Sequence, residues 1–185
     1  HNIGLGATRN PDLARQLARV TARELSATGI RWTFAPSIAV ARNIRWGRTY
    51  ESFGEDVALQ TLFAASLVEG YQGTDLIRDD SVGATAKHFV ADGATDGGVD
   101  RGNATISDED LRAMHLPGFR DAVDAGVVAV DLSGDDERGP CLVDEDRVDL
   151  VDDGVVEALW LDHGVAAVLE VVAEVVEAEL GVCAV

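Results

Sequence analysis

Ala84-Thr85-Ala86-Lys87-His88-Phe89-Val90-Ala91-Asp92-Gly93 reads as a buried β-strand that ends in a cation, an imidazole and a carboxylate. The chain holds 33 acidic and 15 basic residues, and Lys87 is its only lysine. A core strand has no structural need for such groups, so their place at its exit points to a ligand, with a salt bridge at a strand end as the plain alternative. Upstream, Val57, Leu59, Leu62, Phe63 and Leu67 predict a helix that closes near Gly70 and Gly73. Before that helix, Ile30, Trp32 and Phe34 alternate as a strand does, and Pro36 ends the run.

The same alternation extends in both directions. Asn10-Pro11-Asp12 combines an N-cap, a proline for the first helical position and an acid facing the helix dipole. Leu13, Leu17, Val20 and Leu25 follow at near-helical spacing, and Gly29 supplies the stop. Downstream, Ser107 caps a third helix whose first turn carries Asp108, Glu109 and Asp110. Leu111, Met114, Phe119 and Val123 are expected on its buried face, with Met114 as ordinary core. Gly126 ends it, and residues 127–132 begin another strand. Strand, helix, strand, helix, strand without a hairpin signal predicts a parallel α/β architecture. Two long loops, 37–55 and 91–106, leave the C-terminal ends of strands, where a parallel sheet or barrel would bring them over one face.

Composition narrows the partners. An apolar fraction of 46% and a charged fraction of 26% are those of an ordinary globular protein. A net charge of −18 argues against nucleic acid or an anionic membrane, since both require a basic surface. No apolar run approaches the length of a membrane span. The chain opens at His1 with neither an initiator Met nor a signal peptide, so a natural N-terminus is not expected there. Cys141 and Cys183 have no metal-ligand spacing and read as ordinary thiols.

The loops carry the chemistry. The first contains Arg45-Trp46-Gly47-Arg48-Thr49-Tyr50-Glu51-Ser52-Phe53-Gly54-Glu55-Asp56, and the second runs from Asp92 to Asn103. Arginine and lysine donate, aspartate accepts, and tryptophan offers an apolar platform, the mixture that a sugar ring needs. Packing and pairing within the loop are the plain reading of Trp46 and Arg48. The glycine-rich run lacks the Lys-Ser/Thr ending of a phosphate loop. Asp92, Asp96 and Asp100 recur every fourth residue, unlike a calcium loop, so no metal is expected. Neither Gly-x-Ser-x-Gly nor His-Glu-x-x-His occurs.

His1-Asn2-Ile3-Gly4-Leu5-Gly6-Ala7-Thr8, Phe34-Ala35-Pro36, the Trp46–Asp56 run and Lys87-His88-Phe89-Val90-Ala91-Asp92-Gly93 together resemble glycoside hydrolase family 3, in particular its β-glucosidases and exo-acting β-glucan glucohydrolases. Asp100, Asn103, His115-Leu116-Pro117 and Gly126-Val127 continue the likeness. The resemblance implies part of a (β/α)8 TIM-like barrel with parallel strands over residues 1–132, and a β-glucoside or glucose-type sugar as ligand. It implies that Arg48, Lys87 and His88 bind hydroxyls of one glucose ring, with Asp92 in support, and it implies no cofactor. The branch that removes N-acetylglucosamine has a histidine in an Asp-x-His loop, and Ala91-Asp92-Gly93 has none.

The departures are as informative. Retaining hydrolysis takes a nucleophile and an acid/base about 5 Å apart. The family's nucleophile lies in a Ser-Asp-Trp-like motif that this sequence lacks, and the acid/base comes from beyond the barrel, so no catalytic residue is assigned. A whole barrel takes roughly 250 residues. After Val130 the family pattern continues with Met, whereas here Asp131-Leu132-Ser133 follow. Residues 1–130 carry 17 acidic and 13 basic residues, whereas 131–185 carry 16 and 2. Val, Ala, Asp, Glu and Gly, all with codons beginning in G, make up 62 of the first 130 residues and 40 of the last 55. The stretch 133–185 is therefore expected to be an acidic, mainly helical or irregular tail with the character of an out-of-frame translation. A divergent tail with an apolar stripe at Val165, Leu169, Val172, Val176 and Leu180 is the alternative. The expected function is a fragment of a retaining β-glucosidase-like hydrolase that holds part of the glucose subsite, against a non-catalytic sugar-binding or structural remnant. Unpaired sheet edges would favour self-association.

Overall fold

A computed structural model describes residues 1–132. The acidic stretch 133–185, including the apolar spacing from Val165 to Leu180 and both cysteines, lies outside the described residues. After a short helix α1 (Asn2–Thr8), helix α2 spans Pro11–Ala27. Its start is made by local chemistry: the Asn10 side chain accepts from Leu13 N at 3.0 Å and Pro11 occupies the first turn. Helix α3 (Val57–Gln72) begins where Asp56 accepts from Ala58 N at 3.0 Å, and it ends at Gly73, whose φ is +66°.

Strand β1 (Thr85–Phe89) pairs in parallel with β2 (Ala129–Leu132), with Thr85 opposite Ala129, Ala86 opposite Val130 and Lys87 opposite Asp131. A one-residue irregularity between Lys87 and Phe89 then brings Phe89 opposite Leu132. On the other side of β1, the segment expected as a strand from its Ile30, Trp32, Phe34 alternation also runs parallel, but brokenly. Bridges join Trp32 to Gly83 and Ser37 to Lys87, and the register slips by one residue between them. Pro36 lies in that interval and has no N–H to offer a ladder. Three parallel strand segments in chain order, joined by helices, give the α/β pattern, and their C-terminal ends share one edge.

The third helix is not continuous. Ser107 Oγ accepts from Asp110 N at 3.1 Å and opens a single turn, α4 (Asp108–Asp110). A π-helical turn over Leu111–His115 follows, and α5 (Pro117–Asp124) completes the element. The wider turn moves the buried face on by one position. His115, Leu116, Phe119, Ala122 and Val123 are buried, whereas Leu111 and Met114 are half-buried. Met114 lines a surface cavity instead of filling the core.

The core lies where α3 meets the strands and α5. Phe63 is fully buried and stacks on Phe53 with ring centroids 4.8 Å apart, and Phe89 meets Phe119 edge-on at 5.1 Å. Helix α2 fully buries none of its large apolar side chains, and Leu13 and Leu25 are half-buried. Leu17 and Val20 are 47% and 50% exposed, and the buried face is Ala14, Ala18 and Ala22. The reason is the closeness of α3: a Cβ added at Gly70 would stand 2.6 Å from Ala18 Cβ and 2.6 Å from Arg15 O. Buried Gln72 ties the layers together, donating to Gly126 O at 2.7 Å and accepting from Ala84 N and Val128 N at 3.2 Å each. No helix among the described residues is long and apolar enough to cross a membrane.

Candidate functional site

The two long loops meet at the C-terminal ends of the strands through backbone hydrogen bonds. Arg42 N and Asn43 N both donate to Gly93 O, at 2.8 and 3.0 Å, and Asn43 Nδ2 donates to Thr95 O at 3.0 Å. Ala91 takes a left-handed conformation, φ +67°, and turns the chain out of β1 into a 3₁₀ turn at Asp92–Ala94. That turn brings Asp92 back beneath the strand exit. Another 3₁₀ turn, Thr49–Glu51, sets Arg48 at its N-terminal boundary and Glu51 within it.

The four residues singled out from the sequence come together. Arg48 donates from Nε and Nη2 to the two carboxylate oxygens of Glu51, at 2.9 and 2.8 Å, and its Nη1 lies 3.9 Å from Asp92 Oδ2. This fork raises the Arg48 pKa and, with smaller help from Lys87 and His88, holds Glu51 below the ordinary carboxylate range. His88 Nδ1 is 3.0 Å from Asp92 Oδ2. The contact is not an aligned hydrogen bond, for neither atom has a hydrogen-bond partner among the described residues. The Asp92 side chain is 1% exposed and so is held inside the cluster. Burial first, then Arg48, lowers the Lys87 pKa, against the opposing pull of Glu51, Asp131 and Asp92.

Lys87 and Glu51 line a cleft of about 230 Å³ with His1, Phe34, Ser37 and Tyr50. Arg48, His88 and Asp92 do not line it and connect to it through Glu51. Trp46 is 2% exposed and packs with Ala39 and Ala41, so it offers no platform to a ligand. The plain reading of that tryptophan as loop packing is the correct one. Glu51 is the member of this cluster that the sequence did not single out. Its signal was available as an opposite charge three residues after Arg48 in a turn. No group of three or more His, Cys, Asp or Glu side chains among the described residues is placed to hold a metal ion.

A second cavity of about 390 Å³ opens beside the joined loops, among Arg42, Asn43, Ile44, Ile106, Met114 and His115. His115 is 3% exposed, and its Nε2 has no partner among the described residues. Burial, followed by the Arg42 charge, lowers its pKa from 6.5 to about 4. The unfolded chain therefore takes up one proton more than the folded chain in that interval. Stability is expected to decline as pH falls from 6.5 to about 4, by roughly 3 kcal/mol in full. Urea midpoints across that range check it: His115→Gln should flatten the decline, and an equal slope in both proteins would rule it out.

The chain has relatives among known proteins. Residues 1–141 match the model of the glycosyl hydrolase family 3 N-terminal domain. The chain is 36% identical over 129 residues to the periplasmic beta-glucosidase of Salmonella typhimurium, covering 70% of this chain and 17% of that protein. Among solved structures, it superposes on the exo-1,3/1,4-beta-glucanase of a Pseudoalteromonas species with a TM-score of 0.68 at 50% identity, over 72% of this chain and 17% of that one. A beta-glucosidase from Listeria innocua in complex with glucose gives a TM-score of 0.67 at 33% identity, over 71% and 19%. The chain thus spans under a fifth of the length of these relatives.

Proposed function

This chain belongs to glycoside hydrolase family 3, and from that premise we propose that the cluster at its strand ends is part of the glucose-binding subsite of a β-glucosidase-like retaining hydrolase. The observation that carries the reading is the convergence of Arg48, Lys87, His88 and Asp92 from two separate loops and a strand end. In it, Lys87 is the hydroxyl donor facing the cleft. Arg48 holds Glu51 in the cleft wall, and Arg48 and His88 reach the ring only where the ligand extends past that cleft toward them. Asp92, sealed from solvent, orients Arg48 by charge and stands beside the His88 ring. The ligand is a neutral β-linked glucoside or glucose itself.

Within residues 1–185 no Ser-Asp-Trp-like run supplies the nucleophile, so the proposal for this sequence is sugar binding without turnover. One observation favours the rival reading, a structural remnant: both Arg48 hydrogen bonds are already given to Glu51. Titration with glucose, followed by calorimetry or chemical shifts, decides between them. Saturable binding in roughly the millimolar range is expected. Lys87→Ala should weaken it at least about tenfold, the scale of one lost charged hydrogen bond. Absence of saturation in the wild-type chain would leave the remnant reading. Turnover of an aryl β-glucoside that vanishes in Lys87→Ala would show a nucleophile within these residues and refute the binding-only proposal.

A further inference from the structure

Of the described residues that line the cleft beside Lys87, Glu51 alone brings a carboxylate. It is held from every side. Its N–H donates to Arg48 O at 2.8 Å, its carbonyl accepts from Asn2 Nδ2 at 2.7 Å, and its two carboxylate oxygens take the Arg48 fork. The side chain is nonetheless 24% exposed. An ionised carboxylate has about four lone-pair sites, so the fork leaves accepting capacity on both oxygens. The Arg48 hydrogen bonds first, then the charges of Lys87 and His88, keep the group ionised at neutral pH. An acceptor already fixed in place loses little further freedom when a ligand arrives. The cleft thus sets an immobile acceptor and a lysine donor in one wall, and a polyol can answer both because each hydroxyl donates and accepts. Phe34 and Tyr50, 43% and 47% exposed, line the same cleft and offer apolar surface to the C–H groups of a ring.

We propose that Glu51 is a ligand-contacting, specificity-determining residue of this site, an inference that rests on the glucose-subsite reading above. Its carboxylate accepts a hydrogen bond from one hydroxyl of the sugar while Lys87 donates to another. Arg48 then acts as the positioning residue that aims Glu51. The cleft selects neutral sugars with a free hydroxyl where they face Glu51 and rejects those that lack it.

The test is a set of titrations of the full 185-residue chain with glucose and its 2-, 3-, 4- and 6-deoxy analogues. Glu51→Gln should weaken glucose about tenfold, the scale of one hydrogen bond to a charged group. The same variant should change the affinity of one particular deoxy sugar by less than about twofold, because the hydroxyl that Glu51 held is already gone. Equal weakening of glucose and all the deoxy sugars would mean that Glu51 only holds Arg48 in place, and it overturns the proposal. Unchanged glucose affinity in Glu51→Gln overturns it too. Both results leave the subsite intact where glucose binding still depends on Lys87. Should the Gln variant not fold, deoxyfluoro sugars decide on the wild-type chain, since fluorine accepts weakly and cannot donate. At the hydroxyl that faces Glu51, deoxy and deoxyfluoro sugars should both lose about tenfold, whereas at the one facing Lys87 fluorine should recover part of the loss. Recovery by fluorine at every sensitive position overturns the proposal. Absence of saturable glucose binding overturns both readings together.

Discussion

Gly93→Ala is expected to destabilise the chain by roughly 3–5 kcal/mol and to disperse the sugar site. A Cβ at this position would stand 2.2 Å from Val40 O and 2.8 Å from Val40 C, both backbone atoms with no side-chain freedom to yield. The second loop must then lift from the first. Gly93 O would lose the N–H groups of Arg42, an exposed residue, and Asn43, a half-buried one, at about 0.5–1.5 kcal/mol each, on top of the cost of parting the two backbones. Asp92 precedes Gly93 and would move with it, away from Arg48 and His88. Urea unfolding should report the loss, and glucose affinity should fall more than about tenfold in the fraction that remains folded. A wild-type midpoint together with wild-type affinity would show that the loops are not fastened at this carbonyl.

Phe63→Ala should remove a comparable amount, about 3–5 kcal/mol, by a different route. Its ring is 0% exposed and stacks on Phe53, the residue that closes the first loop. Truncation forfeits the transfer energy of the ring and leaves a cavity among Ile38, Leu67 and Phe53 that the packed helices cannot readily fill. Domains of this size have only about 5–15 kcal/mol in all. Chemical denaturation checks the value, and a loss below about 1 kcal/mol would mean that the site collapses onto its neighbours without cost.

Helix starts were legible because they are local. Asn10 and Ser107 make their capping bonds within three residues, and nothing distant has to be known. The gathering of Arg48, Lys87, His88 and Asp92 was legible through motifs and through the rule that loops after parallel strands share a face. What escaped depends on distance or on exact turn geometry. The π-helical turn at Leu111–His115 is invisible to a reading that assumes 3.6 residues per turn, so Met114 was placed one position too deep. The chemistry of Trp46 suits both a sugar platform and loop packing, and only the fold, which buries it with Ala39 and Ala41, decides for packing. Nothing local in the sequence singles out Gln72, whose bonds to three backbone groups of later elements exist only in the fold.

Helix α2 has one more lesson, in the close seam it makes with α3. Hydropathy would mark Leu17 and Val20 as the positions to protect and Ala14, Ala18 and Ala22 as filler. The observed burial reverses that order. At the seam the side chains are already nearly as small as they can be, so almost every substitution there adds atoms where backbones touch. On the outer face, polar replacements at Leu17 and Val20 give up only the covered half of each residue. The mutational tolerance of α2 should therefore run opposite to its hydropathy, with variation accumulating at the large apolar residues and purged at the small ones.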